Sequence, residues 1–167
     1  TWGGQSNQAI FVTTGKTLEA ALEANDAIYG EAVSLVGEKN FTSLSTLWPS
    51  QKTRARNIEQ CNNFWRDGRA ARLKRYISDA APVYGMRAQA FAPFFDDLYK
   101  NRIDVGKPDA LLEKIQERFI VKNKDEYRVL SFFPDNAEYV DALLPLSERY
   151  ADTFVVSRKA MSKKVSA

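Results

Sequence analysis

The hydrophobic positions change period along the chain, and each change marks an element. Residues 8–14 (Gln-Ala-Ile-Phe-Val-Thr-Thr) are short, β-branched and aromatic, and Gly15 closes them, which predicts a strand. Over residues 17–36 the period lengthens. Leu18, Leu22, Tyr29, Ala32 and Val36 fall on one helical face, Glu19 lies in the first turn, and Gly37 follows as a C′ residue. Residues 41–47 alternate apolar and hydroxyl side chains, the pattern of a second strand or an extended loop. Together these segments predict a β-α-β unit.

The middle of the chain is helical in pattern. Pro49-Ser50 signals a turn and an N-cap, and Ala55, Ile58, Cys61 and Trp65 then form a stripe. Gly68 interrupts it, and Ala70, Leu73, Ile77 and Ala80 carry the period on to Pro82. Phe91, Phe94, Phe95 and Leu98 predict a short third helix, with Pro93 in its first turn. Pro108 opens a fourth, carrying Leu111, Leu112, Ile115 and Phe119.

The last third returns to the first pattern. Residues 127–133 predict a strand, hairpinned to 119–121 across the polar stretch 122–126. Asp135 and Glu138 have the spacing of a capping box, ahead of a helix marked by Tyr139, Leu143, Leu146 and Tyr150 and kinked at Pro145. Residues 153–156 predict a final strand, and 157–167 a basic outgoing helix or frayed tail. The order β-α-β, helical insertion, β-α-β predicts an α+β sandwich with helices packed on one sheet. Residues 1–167 form a single domain on this reading, with 1–49 and 119–157 as the sheet part and 50–118 as the helical insertion.

Composition narrows the chemistry. A chain of 167 residues, 44% hydrophobic, is long and apolar enough for one core. Histidine is absent, which removes the side chain most used for proton transfer near neutrality and the commonest metal ligand. Cys61 is the only cysteine, so no internal disulfide forms and the redox compartment stays open. Set in an apolar stripe with no imidazole to activate it, Cys61 is predicted to be a buried, inert thiol. Asp96 and Asp97 are adjacent carboxylates that do not share a helical face, and solvation accounts for them. Asp135, Glu138 and Asp141 are accounted for by capping and solvation, and a zinc site here would need mostly carboxylates. Gly3-Gly4 lacks the Lys-Ser/Thr partner of a phosphate loop. No enzyme, metal or cofactor is predicted.

Residues 50–77 hold Lys52, Arg54, Arg56, Arg66, Arg69, Arg72, Lys74 and Arg75 against Glu59 and Asp67, with Trp65 and Tyr76 nearby. A nucleic-acid footprint is one account of this charge. The basic residues occupy several faces, however, and no recognised binding module accompanies them. A solvated surface, or one facing anionic lipid headgroups or a partner subunit, is favoured, and no nucleic-acid partner is predicted. No apolar run approaches the roughly 20 residues of a membrane span; the longest, 88–95, is interrupted by Gln89 and Pro93. The opening Thr-Trp-Gly-Gly has neither a starting Met nor a basic leader, which predicts a fragment whose parent continues on both sides.

Several segments, taken in order, resemble one family. Gly3-Gly4 with Gln8-Ala9-Ile10-Phe11-Val12 and residues 18–23 resembles the start of a loop in RND-superfamily exporters, the MMPL-type (mycobacterial membrane protein large) lipid transporters and their proteobacterial relatives. Residues 43–51 (Ser-Leu-Ser-Thr-Leu-Trp-Pro-Ser-Gln) are similar to a recurring segment of that loop, and Asn57 with Phe64-Trp65 falls where it continues into a long helix. Gly85 followed by Ala90-Phe91-Ala92-Pro93-Phe94 and the strand Phe154-Val155-Val156-Ser157 extend the resemblance over nearly the whole chain. It implies the second large periplasmic loop, on the periplasmic side of the bacterial inner membrane, with a ferredoxin-like porter fold. The implied partners are the remaining membrane helices, the other periplasmic loop, a second protomer and a lipid or other hydrophobic substrate, with proton-carrying residues outside this chain. Among the aromatic residues that suit an apolar substrate path, Trp48, Phe94 and Phe95 are the first candidates. A stand-alone periplasmic lipid-binding or interaction domain is the alternative reading, and a basic nucleic-acid-binding module the second.

Overall fold

The computed structural model describes residues 7–100 and 110–165. Gly3-Gly4 and Pro108 lie outside these residues, as do the side chains of Leu111 and Leu112. The protein is α+β, with four strands and seven helices among the described residues. Two compact units divide it: Thr1–Thr53 with Asp109–Ala167, and Arg54–Pro108.

The first unit is built on one four-stranded antiparallel sheet. Strand β1 (Gln8–Gly15) pairs along its whole length with β3 (Tyr127–Pro134), and on its other side with β4 (Thr153–Val156). Strand β2 (Ile120–Lys122) is a three-residue edge on β3. Alternation sends Ala9, Phe11, Thr13, Val129, Ser131 and Phe133 to one face, where all are buried. Helices α1 (Leu18–Val36) and α6 (Ala137–Arg149) pack there through Ile28, Ala32, Val36, Val140, Leu143 and Leu146. The opposite face carries Ile10, Val12, Leu130 and Phe132 in cross-strand register with Phe154 and Val156, and the last two are exposed.

Local chemistry fixes how these elements start and stop. Thr17 Oγ1 accepts from Ala20 N at 3.1 Å to cap α1, and Gly37, at φ 83°, returns its N–H to Val33 O. Gly15 is required for close approach: a Cβ there would lie 2.5 Å from Ala21 N. Helix α6 runs through Pro145 without ending.

Two expectations are corrected here. Residues 41–47 do not form a strand. Thr42 makes one antiparallel bridge to Phe132, on the edge of β3 that β2 occupies, and residues 44–46 turn into a 3₁₀ helix. The α1-to-β2 connection therefore contains the whole helical insertion, and the order is β-α-insertion-β-β-α-β. The capping box at Asp135 and Glu138 is displaced by one residue. Asn136 Oδ1 caps α6 by accepting from Tyr139 N at 2.8 Å. Asp135 instead turns to the start of α7 (Arg158–Val165), accepting from Ser157 Oγ at 2.6 Å and Arg158 N at 3.1 Å.

The second unit contains most of α2 (Gln51–Trp65), then α3 (Arg69–Ala80) and α4 (Ala92–Lys100). Asp67 and Gly68, both left-handed at φ 60° and 73°, break α2 from α3. Pro93 sits in the first turn of α4, where its missing N–H costs nothing. Helix α5 (Ala110–Phe119) belongs to the first unit and leads directly into β2. The stripe expected on α2 is not the inward one: Arg54, Ile58, Asn62 and Trp65 are half-buried, whereas Ala55 and Cys61 are exposed. Cys61 is thus a surface thiol. Ala70, Ala81 and Phe95 are the only buried residues among those described in the helical unit.

Candidate functional site

The aromatic residues of the helical unit meet edge to face. Phe64 and Trp65, at the end of α2, have ring centroids 5.0 Å apart; Trp65 lies 6.2 Å from Phe94, and Phe94 lies 5.2 Å from Phe95, both on α4. Such T-shaped pairs contribute about 0.5–1.5 kcal/mol each beyond burial. The row passes from surface to interior, with Phe94 45% exposed and Phe95 4%. Cations flank it: the Arg69 guanidinium lies 4.8 Å from the Phe64 ring centre and Lys74 Nζ 6.0 Å from that of Phe95.

Phe95 also floors a small cavity of about 240 Å³. Ile77, Ala88 and Ala92 complete its apolar lining, while Lys74, Ser78 and Gln89 supply polar atoms. At roughly 30 Å³ per water, it has room for about eight waters, so it suits the end of an amphiphile and not a whole lipid. One cation beside an apolar wall selects for a negative or polar group attached to an apolar body.

Of the three residues predicted for a substrate path, Phe94 and Phe95 touch each other at this site. Trp48 lies in the other unit, half-buried against the cluster of Ala21, Leu22, Leu44, Phe119 and Val129. Pattern alone did not single out Ser78 and Gln89, because isolated polar residues on a helix and a short turn carry no local signature.

The segment 43–51 that carries much of the family resemblance is tied down internally. Asn25 Nδ2 of α1 donates to Ser43 Oγ at 2.9 Å and Ser45 Oγ at 2.6 Å, while its Oδ1 accepts from Ser131 Oγ of β3 at 2.9 Å. Ser50 is fully buried; its N–H donates to Asp26, and its Oγ accepts from Thr53 N. The Gln51 N–H donates to Glu19, so two carboxylates of α1 meet the positive end of α2.

A second depression, about 420 Å³ and broadly open, is lined by Gly30, Glu31, Ser34, Leu35 and Arg149. Glu31 there accepts from Tyr150 Oη and pairs with Arg149, joining α1 to α6. The hydrogen bond from Tyr150, helped by Arg149, holds the Glu31 carboxyl below its usual range, and the same bond raises the Tyr150 phenol. Both groups therefore keep one charge state around neutrality, which makes this a clasp without a proton to exchange. Among the described residues no cluster of His, Cys, Asp or Glu is able to hold a metal ion, and Asp96 and Asp97 are exposed. No described helix is long and apolar enough to cross a membrane. The chain matches no family model, no curated protein and no solved structure.

Proposed function

We propose that the chain is an extracytoplasmic domain of a proton-driven RND exporter of the MMPL type, which moves lipids or other hydrophobic substrates. The observation that carries this reading is the sheet order β2-β3-β1-β4 with α1 and α6 on one face. This order supports a ferredoxin-like porter fold of the kind the sequence resemblance implies, with the helical insertion entering between α1 and β2. The aromatic row and cavity around Phe95 supply a place for an apolar substrate end, and the exposed Phe154 and Val156 a contact for the rest of the transporter or a second protomer. With no histidine, the chain contributes surface and cleft while proton transfer belongs to membrane helices elsewhere.

The coding sequence on either side tests this. The proposal requires an apolar stretch of about 20 residues upstream and another downstream. A start codon and a stop codon close by, with no such stretch between, would leave a stand-alone binding domain in its place.

A further inference from the structure

Between α3 and α4 the chain makes a tight turn that leaves apolar side chains exposed. Ala81–Tyr84 is a 3₁₀ helix, Gly85 at φ 66° reverses it, and Met86 N donates back to Ala81 O at 2.8 Å. These bonds fix the backbone while Val83 is left 79% exposed, Tyr84 75% and Met86 49%. Side chains that exposed are projections, not the wall of a groove. Residues 72–87 also hold Arg72, Lys74, Arg75 and Arg87 against the single acid Asp79, and all five are exposed. The helical unit as a whole has eleven basic and six acidic residues, and the rest of the chain thirteen and fifteen. The positive charge is thus concentrated on the unit that presents the apolar turn.

We propose that this turn, with the exposed basic residues Arg72 and Arg75 of α3 and Arg87 next to Met86, docks the protein on an anionic phospholipid bilayer. Val83 and Met86 enter the acyl boundary, Tyr84 sits at headgroup level, and Arg72, Arg75 and Arg87 meet lipid phosphates. A bilayer accepts a projecting apolar tip without a preformed pocket. Nucleic acid would match the charge but give Val83 and Met86 no apolar surroundings. The inference goes beyond the exporter assignment, since either a transporter loop or a stand-alone domain uses such a surface.

The test is co-sedimentation of the full chain with phosphatidylglycerol-containing and purely phosphatidylcholine vesicles, with the charge contrast measured at about 0.15 M salt. Binding is expected on the anionic vesicles and at least tenfold weaker on the neutral ones. The combined V83S, Y84S and M86S variant, altered only at exposed positions and checked for native circular dichroism, is expected to bind at least tenfold more weakly than the parent. A polarity-sensitive dye on Val83→Cys, in a Cys61→Ser background, should shift to the blue on anionic vesicles, while the same dye on Glu138→Cys should not. Three results overturn the proposal: no vesicle binding, undiminished binding by the triple variant, or a dye at position 83 that stays in water. Displacement of the bound protein from vesicles by duplex DNA at equal phosphate, with no blue shift, would assign the charge to nucleic acid.

Discussion

Asn25 occupies a position in α1 where its neighbours Leu22 and Ile28 make an apolar residue the simple expectation, and it is fully buried. Its amide joins three segments far apart in sequence, because Ser43, Ser45 and Ser131 all bond to it. Removing one member of a buried polar network leaves the others unsatisfied, at about 1–3 kcal/mol per group. Asn25→Leu should therefore lower unfolding stability by at least about 2 kcal/mol in urea titrations, despite being the more apolar residue. Asp135 is the charged counterpart. Burial opposes its ionisation, but the bonds from Ser157, Arg158 N and Lys159 N, with the Arg158 charge, outweigh burial and hold its carboxyl below the usual range. A depressed folded-state value means the carboxylate stabilises the fold above about pH 4, and the contribution is lost as pH falls through that lowered value. Asp135→Asn should thus reduce stability at neutral pH and flatten its decline in acid, measured by thermal melts between neutrality and pH 3. Trp48 and Phe94 separate in the same way. Trp48→Ala should cost about 2–4 kcal/mol as part of a core wall, whereas Phe94→Ala should cost roughly 1–2 kcal/mol through its ring contacts and, under the proposed exporter role, weaken transport more than folding.

Elements with a strong local pattern were legible in the sequence. Residues 8–14, 127–133 and 153–156 are strands within one residue of expectation, because β-branched and aromatic runs bounded by Gly15, Pro134 and Ser157 have little alternative. Residues 41–47 alternate equally well yet pair with the sheet backbone at Thr42 alone, since the β2 edge is taken by residues 120–122 from far downstream. No local signal reports that competition. On α2 the inward positions include the polar Arg54 and Asn62, so a search for apolar spacing selected Ala55 and Cys61 instead. Of the substrate-path candidates, the adjacency of Phe94 and Phe95 was legible from spacing on α4. The surrounding cavity was not, because it depends on how α3 meets the segment 88–95. Two glycines test the element boundaries with opposite signs. Gly15→Ala forces a Cβ into the backbone of Ala20 and Ala21 and should cost about 1–3 kcal/mol. Gly30→Ala, in an exposed helical turn with nothing within 4 Å, should stabilise by about 0.5–1 kcal/mol in the same denaturation assay.

At the scale of the whole molecule, the two units differ in how much they bury. Both apolar clusters of buried residues lie in the sheet unit, while the helical unit has three buried residues among those described. Amide hydrogen exchange should accordingly be faster across α2, α3 and α4 than in β1 and β3. A chain in which residues 54–108 are replaced by a flexible linker should retain the sheet unit's exchange protection. The central claim, that this chain belongs to an extracytoplasmic exporter domain, is most directly tested through Cys61, which is exposed and the only cysteine of the chain. In cells making the full-length protein with every cysteine outside this chain replaced by serine, a thiol reagent that crosses the outer but not the inner membrane should label Cys61 while the inner membrane is intact, and Cys61→Ser should abolish that label. Labelling that appears only after the inner membrane is broken would put the domain in the cytoplasm and contradict the account.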